Sequence, residues 1–210
     1  MGGIALPYFV HLQLGRTIRR VVSLSCLALF ASASAAFAAC PVPSVSTPFS
    51  QWGDTNSYFL VPGGSMEGTP EQVGWSLTDA TLSPGNEPFN VNGSADSQSL
   101  TINGGGSATS PYFCVDKTMS GLRFFAQQAT AGSDLHIDAL VQTRGGVATV
   151  PVGDLSDGSM SSWAPTDMIT GASASLPDNR TVMVALRFEV PSTAGSWQVD
   201  DIFVDPYRSG

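Results

Sequence analysis

Positive charge is what this sequence most lacks. Beyond residue 39 it holds six basic side chains, Lys117, Arg123, Arg144, Arg180, Arg187 and Arg208, against seventeen acidic ones, a net charge of −11. A surface that negative repels phosphate backbones, so nucleic acid and anionic membrane are not expected partners, and a neutral ligand or a cation is. Histidine is nearly absent as well. His136 alone lies beyond residue 39, flanked by Leu135 and Ile137, and no Gly-x-Ser-x-Gly elbow exists to build a nucleophilic triad around it. There is no His/Cys cluster of zinc spacing and no Gly-x-x-x-x-Gly-Lys phosphate loop. Only four glutamates occur, Glu67, Glu71, Glu87 and Glu189, and no two have a spacing that by necessity places them on facing strands as a glycosidase pair. No catalytic residues are expected, and the chain is not read as an enzyme.

Long apolar runs are also missing, with one short exception near the start. Arg16, Arg19 and Arg20 precede an apolar run over residues 21–30, too short to span a bilayer, and a small-residue stretch closes on Ala36-Phe37-Ala38. This pattern predicts a signal peptide over residues 1–38, cut near Ala38, and a secreted, extracellular chain of residues 39–210. The arginine-bearing lead is long, which leaves the true translation start open. No membrane span is expected in the remainder, and its length suits one domain. A monomer is expected.

Cysteine is scarce and informative. Of three, Cys26 would leave with the signal peptide, and Cys40 and Cys114 form an even pair in an oxidising compartment, which predicts a disulfide. Phe37-Ala38-Ala39-Cys40 also reads as a poor lipobox, so lipidation of Cys40 is the competing outcome.

Between frequent Gly, Ser, Asp and Pro turns run short alternating segments, the clearest over residues 134–143, 181–190 and 197–204, with weaker ones at 58–61, 75–82, 99–102, 112–115, 122–128 and 147–152. Short strands at regular spacing predict an all-β, two-sheet antiparallel β-sandwich. Asn103-Gly104-Gly105-Gly106 reads as a turn, and Gly145-Gly146 as the turn of a hairpin. Asp200-Asp201 lie adjacent within an apolar strand, so alternation sends one of them inward. A buried carboxylate needs a cation, several N–H donors, or an arginine such as Arg123 or Arg187. Among aromatics, Trp75 and Trp197 fall in strand patterns and are expected in the core. Trp163, in polar Ser161-Ser162-Trp163-Ala164-Pro165, is the first candidate for a ligand platform, with Trp52 and Tyr112 after it. Trp163 is at least as readable as a cap on the core edge, and Trp52 as a plug at one end of the sandwich near the disulfide. Asn92-Gly93-Ser94 and Asn179-Arg180-Thr181 are glycosylation sequons, read as incidental.

The segment Gly63-Gly64-Ser65-Met66-Glu67-Gly68, followed by Gly74-Trp75, and the closing Asp200-Asp201-Ile202 strand resemble the two ends of jelly-roll carbohydrate-binding modules of the galactose-binding-like superfamily. The chain also resembles secreted proteins of unknown function of actinobacterial type. The first resemblance covers about 30 residues, and Met66 and Gly63 depart from the usual Phe and Asn. It implies a jelly roll whose first and last strands are neighbours, a glycan partner, and a structural Ca²⁺ near Glu67, Asp200 and Asp201. The function expected is therefore a secreted, non-catalytic, carbohydrate-binding module. The alternatives are a structural or adhesive cell-envelope protein without a small-molecule ligand, and a glycan-acting hydrolase on a jelly-roll scaffold.

Overall fold

The structure is a computed structural model and describes residues 40–116, 121–171 and 181–206. The signal peptide, its cut near Ala38, and Lys117, Arg180 and Arg208 lie outside the described residues. The described residues all belong to one compact unit, Ala39–Gly210.

That unit is all-β, as the punctuated alternation predicts. Ten strands are described: β1 (Phe59–Leu60), β2 (Ser76–Pro84), β3 (Gln98–Thr109), β4 (Phe113–Val115), β5 (Gly121–Thr130), β6 (Leu135–Thr143), β7 (Gly146–Leu155), β8 (Ala164–Pro165), β9 (Val182–Glu189) and β10 (Ser196–Asp205). One helical turn, α1 (Pro70–Val73), and a 3₁₀ turn at Ser50–Trp52 complete them. Every pairing is antiparallel, in the order β7-β6-β9-β3-β10-β5-β8, with β2 on β3, β4 on β9 and β1 on β10. First and last strands are neighbours, Phe59 opposite Val204 and Leu60 opposite Phe203, as a jelly roll requires.

The curl that makes two layers from this sheet is built into β3. Its early part pairs with β10 (Leu100 to Asn103) and its late part with β9 (Ser107 to Thr109). Asn103-Gly104-Gly105-Gly106 therefore lies inside a bent strand and forms no turn. A side chain at Gly106 would meet the Asp79 carbonyl at 2.6 Å, so glycine lets β2 and β3 bend together. β2 bulges at the same level, where Asp79 takes a φ of 46°. The hairpin between β6 and β7 is present, but it turns at Arg144-Gly145, one residue before the expected Gly145-Gly146, and Gly146 pairs with Thr143.

Across the fold, Phe124 of β5 meets Phe188 of β9 edge-on at 5.1 Å, and Leu135, Ile137, Ala139 and Val141 of β6 join the same core. Trp75 and Trp197 are buried there, their indole N–H groups satisfied by the carbonyls of Pro62 (3.1 Å) and Ser133 (2.9 Å). The disulfide joins Cys40 to Cys114 on β4. His136 faces solvent on β6, 3.7 Å from Asp154.

A second apolar cluster covers the opposite face of β5 and β10. Phe49, Tyr58, Phe125 and Phe203 are buried in it, with Trp52, Phe89, Val91, Trp163 and Met168 packed around them. Its charged anchor is Arg123. The guanidinium lies 4.1 Å from the Phe49 ring centroid, donates to Asp54 Oδ2 at 2.6 Å and to the Thr166 carbonyl at 2.9 Å. Asp54 also accepts from the Tyr58 hydroxyl at 2.6 Å. Burial pushes the Asp54 carboxyl up, but hydrogen bonds from Tyr58, the Asn56 N–H and Arg123 outweigh it and hold the group below its ordinary value. The same burial, with Asp54 as acceptor, raises Tyr58.

Replacing Arg123 with Met is expected to cost about 2 kcal/mol, less than a fully buried pair because both partners keep some contact with water. Asp54 gives stability that is present above its unfolded value and lost as pH falls through the folded one, and the variant should lose part of that acid limb. Urea melts of both proteins at neutral and acid pH check this. An unchanged midpoint would show that the pair does not stabilise the fold.

Candidate functional site

The carboxylate site begins with a break in β10. Trp197 and Val199 face the core, but so do Ile202 and Val204, so the alternation changes phase between them. The pairing with β5 slips by one residue between Asp200 and Phe203, and Asp201 takes a φ of 48°. That extra residue is a β-bulge, and it removes the expectation that one aspartate faces out. Asp200 is 1% exposed and Asp201 0%. At the same level β10 changes partner on one side, from β3 up to Val199 to β1 beyond Ile202. The gap between is where the carboxylates collect.

The loop over residues 85–97, between β2 and β3, fills that gap. Its neck is closed by the Gly85 N–H donating to the Ser97 carbonyl at 2.7 Å. Glu87 is fully buried, its Oε1 accepting from the Val91 N–H at 2.9 Å and its Oε2 from the Phe89 N–H. Glu87, Asp96 and Asp201 bring one carboxylate oxygen each within 4.8 Å of one another. Asp201 Oδ1 accepts from the Asn92 amide, so the asparagine of the first sequon is engaged here. Asp201 Oδ2 and Asp96 Oδ2 are buried and have no hydrogen-bond partner.

The other two residues expected at the metal stand at the ends of this loop. Asp200 Oδ2 accepts from the Glu87 N–H at 3.2 Å, and its Oδ1 from the Asp201 N–H at 2.9 Å. Glu67 accepts from the N–H groups of Ser97 and Gln98 at 2.6 and 2.7 Å and from the Ser97 hydroxyl at 3.1 Å. Asp200 thus holds the start of the loop and Glu67 its exit. Backbone N–H groups, one of the donors expected for a buried aspartate, satisfy Asp200. Arg123 is paired with Asp54, and Arg187 with Asp138 and Glu189.

Burial, then the charge of Asp201, pushes Asp200 up to about 9. Burial, then the charge of Asp96, pushes Asp201 up to about 8. Asp96 is raised by burial and by Glu67 and Glu87. Carboxylates in this position hold protons or a cation. The donor set is all oxygen, which fits a hard cation such as Ca²⁺ better than a softer metal. Glu87 and Asp201 are sealed from solvent, so the cluster offers no face to a glycosidic bond.

The aromatic candidates separate. Trp52 and Trp163 are both half-buried and both pack on the second cluster. Trp52 lies edge-on to Phe89 at 4.9 Å and 5.4 Å from Phe125. Tyr112, half-buried just before β4, is not part of that cluster. Glu87 and Asp96 were not foreseen in the sequence. Their only signal is two acids in one turn-rich segment, and nothing local ties that segment to a strand more than 100 residues later.

No family profile and no curated protein matches the sequence. Among solved structures, the chain is similar to the CBM22-1 xylan-binding domain of Paenibacillus barcinonensis Xyn10C, with 12% identity, covering 74% of this chain and 97% of that one, at a TM-score of 0.45. It is also similar to the C-terminal CBM6 of LamC, a marine laminarinase from Zobellia galactanivorans, with 14% identity over 62% of this chain and 90% of that one and a TM-score of 0.39. The K2 cleaved adhesin domain of Lys-gingipain matches with 12% identity over 70% of this chain and 98% of that one, at a TM-score of 0.42.

Proposed function

We propose that this domain is a secreted, non-catalytic module that binds neutral glycan and carries a structural Ca²⁺ at Glu87, Asp96 and Asp201. The observation that carries the glycan reading is that Trp52 and Trp163, two half-buried indoles, both pack on the apolar cluster that covers β5 and β10. Sugar C–H faces pack on such rings while polar groups hold the hydroxyls. The strongly acidic balance of the chain favours an uncharged ligand over an anionic one. For the cation, the supporting observation is a fully buried aspartate whose second oxygen has no donor.

A glycan array on residues 39–210, run with and without calcium, tests the reading. Binding is expected to at least one neutral glycan, weakened about tenfold in Kd by Trp163→Ala and by Trp52→Ala. A blank array under both conditions rejects it. The close packing of Trp52 on Phe89 and Phe125 favours a second reading, a structural or adhesive element in which both indoles only seal the cluster. In that case the two variants lower the melting temperature and no glycan binds.

A further inference from the structure

The carboxylate cluster and the second apolar cluster are joined by one short piece of chain. The loop over residues 85–97 contains no strand or helix, and carboxylates fasten it to the fold: Glu67 at Ser97 and Gln98, Asp200 at the Glu87 N–H, and Asp201 at Asn92. Glu87 faces two ways. Its carboxylate stands beside Asp96 and Asp201, and the same two oxygens accept the N–H groups of Phe89 and Val91. Phe89 and Val91 are the residues by which the loop joins the second cluster, and the Phe89 ring lies 4.9 Å from Trp52 and 5.7 Å from Phe125. A line of contacts thus runs from Trp52 to Phe89, from the Phe89 N–H to Glu87, and from Glu87 to Asp96 and Asp201. Asp201 is fully buried and its Oδ2 has no hydrogen-bond partner, which leaves on the cluster a buried oxygen that a cation would satisfy.

We infer that Ca²⁺ is an effector of the second apolar cluster: by drawing Glu87 and Asp96 onto Asp201 it sets the 85–97 loop, and the loop sets Trp52 for its ligand. The inference rests on the proposed Ca²⁺ site and on Trp52 as part of the ligand platform. Coupling of this kind is reciprocal, so a ligand seated on Trp52 tightens the hold on Ca²⁺ by the same factor that Ca²⁺ tightens the hold on the ligand.

The test uses calcium chloride as the only probe, on the chain over residues 39–210, with tryptophan emission and melting temperature read together. Wild type is expected to shift its emission on calcium addition and to melt higher. Trp52→Phe should keep the higher melting temperature and lose most of the emission change. Trp163→Phe should keep both. Phe89→Ala should keep the melting shift and lose the emission change, which places Phe89 as the link. A melting shift with no emission change, or with a change that survives Trp52→Phe, overturns the coupling and leaves the Ca²⁺ site standing. No response of either kind overturns the Ca²⁺ site and the coupling together.

Discussion

Replacing Cys40 and Cys114 together with serine is expected to lower the melting temperature by about 8–16 °C. The bond joins residues 74 apart. Closing a loop of that length removes about 4 kcal/mol of freedom from the unfolded chain. Little of the effect should come from lost packing, since Cys40 is exposed and Cys114 only half-buried. The folded state should therefore keep its near-ultraviolet spectrum while the unfolding midpoint falls. Calorimetry of the double variant, beside wild type with and without reductant, checks this, and both treatments should agree. A fall of less than about 2 °C would mean that the denatured chain is already compact around this loop. The pairing also bears on Cys40 lipidation, because a cysteine bonded to Cys114 has no thiol to modify.

The second large effect is expected from Ca²⁺ at the proposed site. Saturating Ca²⁺ at about a hundredfold over its Kd should stabilise the domain by about 2.7 kcal/mol, or about 5–10 °C for a domain of this size. EDTA should reverse it, and Asp201→Asn should abolish the response. The pH dependence gives a sharper signature. Asp200 and Asp201 are raised in the folded state, to about 9 and about 8. Without a cation the folded protein keeps protons that the unfolded chain has released. Such groups favour folding below the unfolded carboxylate value, and that advantage is lost as pH rises towards the folded values. The EDTA-treated protein should thus melt lower at about pH 8 than at about pH 5. With Ca²⁺ in place of the protons the fall should vanish, and the gain from calcium should grow with pH, because protons compete for the same oxygens. Equal calcium shifts at both pH values would separate the ion from these carboxylates.

The strands were largely legible because alternation and turn residues are local. Residues 134–143 and 181–190 form β6 and β9, and their alternate residues Leu135, Ile137, Ala139 and Val141, and Val184, Leu186 and Phe188, enter the core. Even α1 has a local signature, Thr69 with Gln72 three residues on and Pro70 between, and the Thr69 N–H donates to Gln72 Oε1 at 2.9 Å. The triple glycine misled, because glycine marks a tight bend equally well in a turn and inside a strand. Asp200-Asp201 are buried by a geometry that alternation does not predict. Strict alternation buries one of two neighbours, whereas the bulge at Asp201 buries both and turns Ile202 and Val204 to the core. Glu87 and Asp96 could not be read at all. A loop's acids acquire meaning only from the partner that tertiary folding brings, and here that partner is Asp201. Of the cover over β5 and β10, only the tryptophans Trp52 and Trp163 were readable as caps, since Phe49 and Phe89 lie in segments with no period.

The most direct test is a crystal of the domain grown with calcium, with anomalous differences used to locate the ion. One peak per chain is expected, within about 2.3–2.6 Å of a carboxylate oxygen from each of Glu87, Asp96 and Asp201. A calcium-saturated crystal with no peak there, and the three carboxylates sharing protons or water instead, would contradict the proposed site.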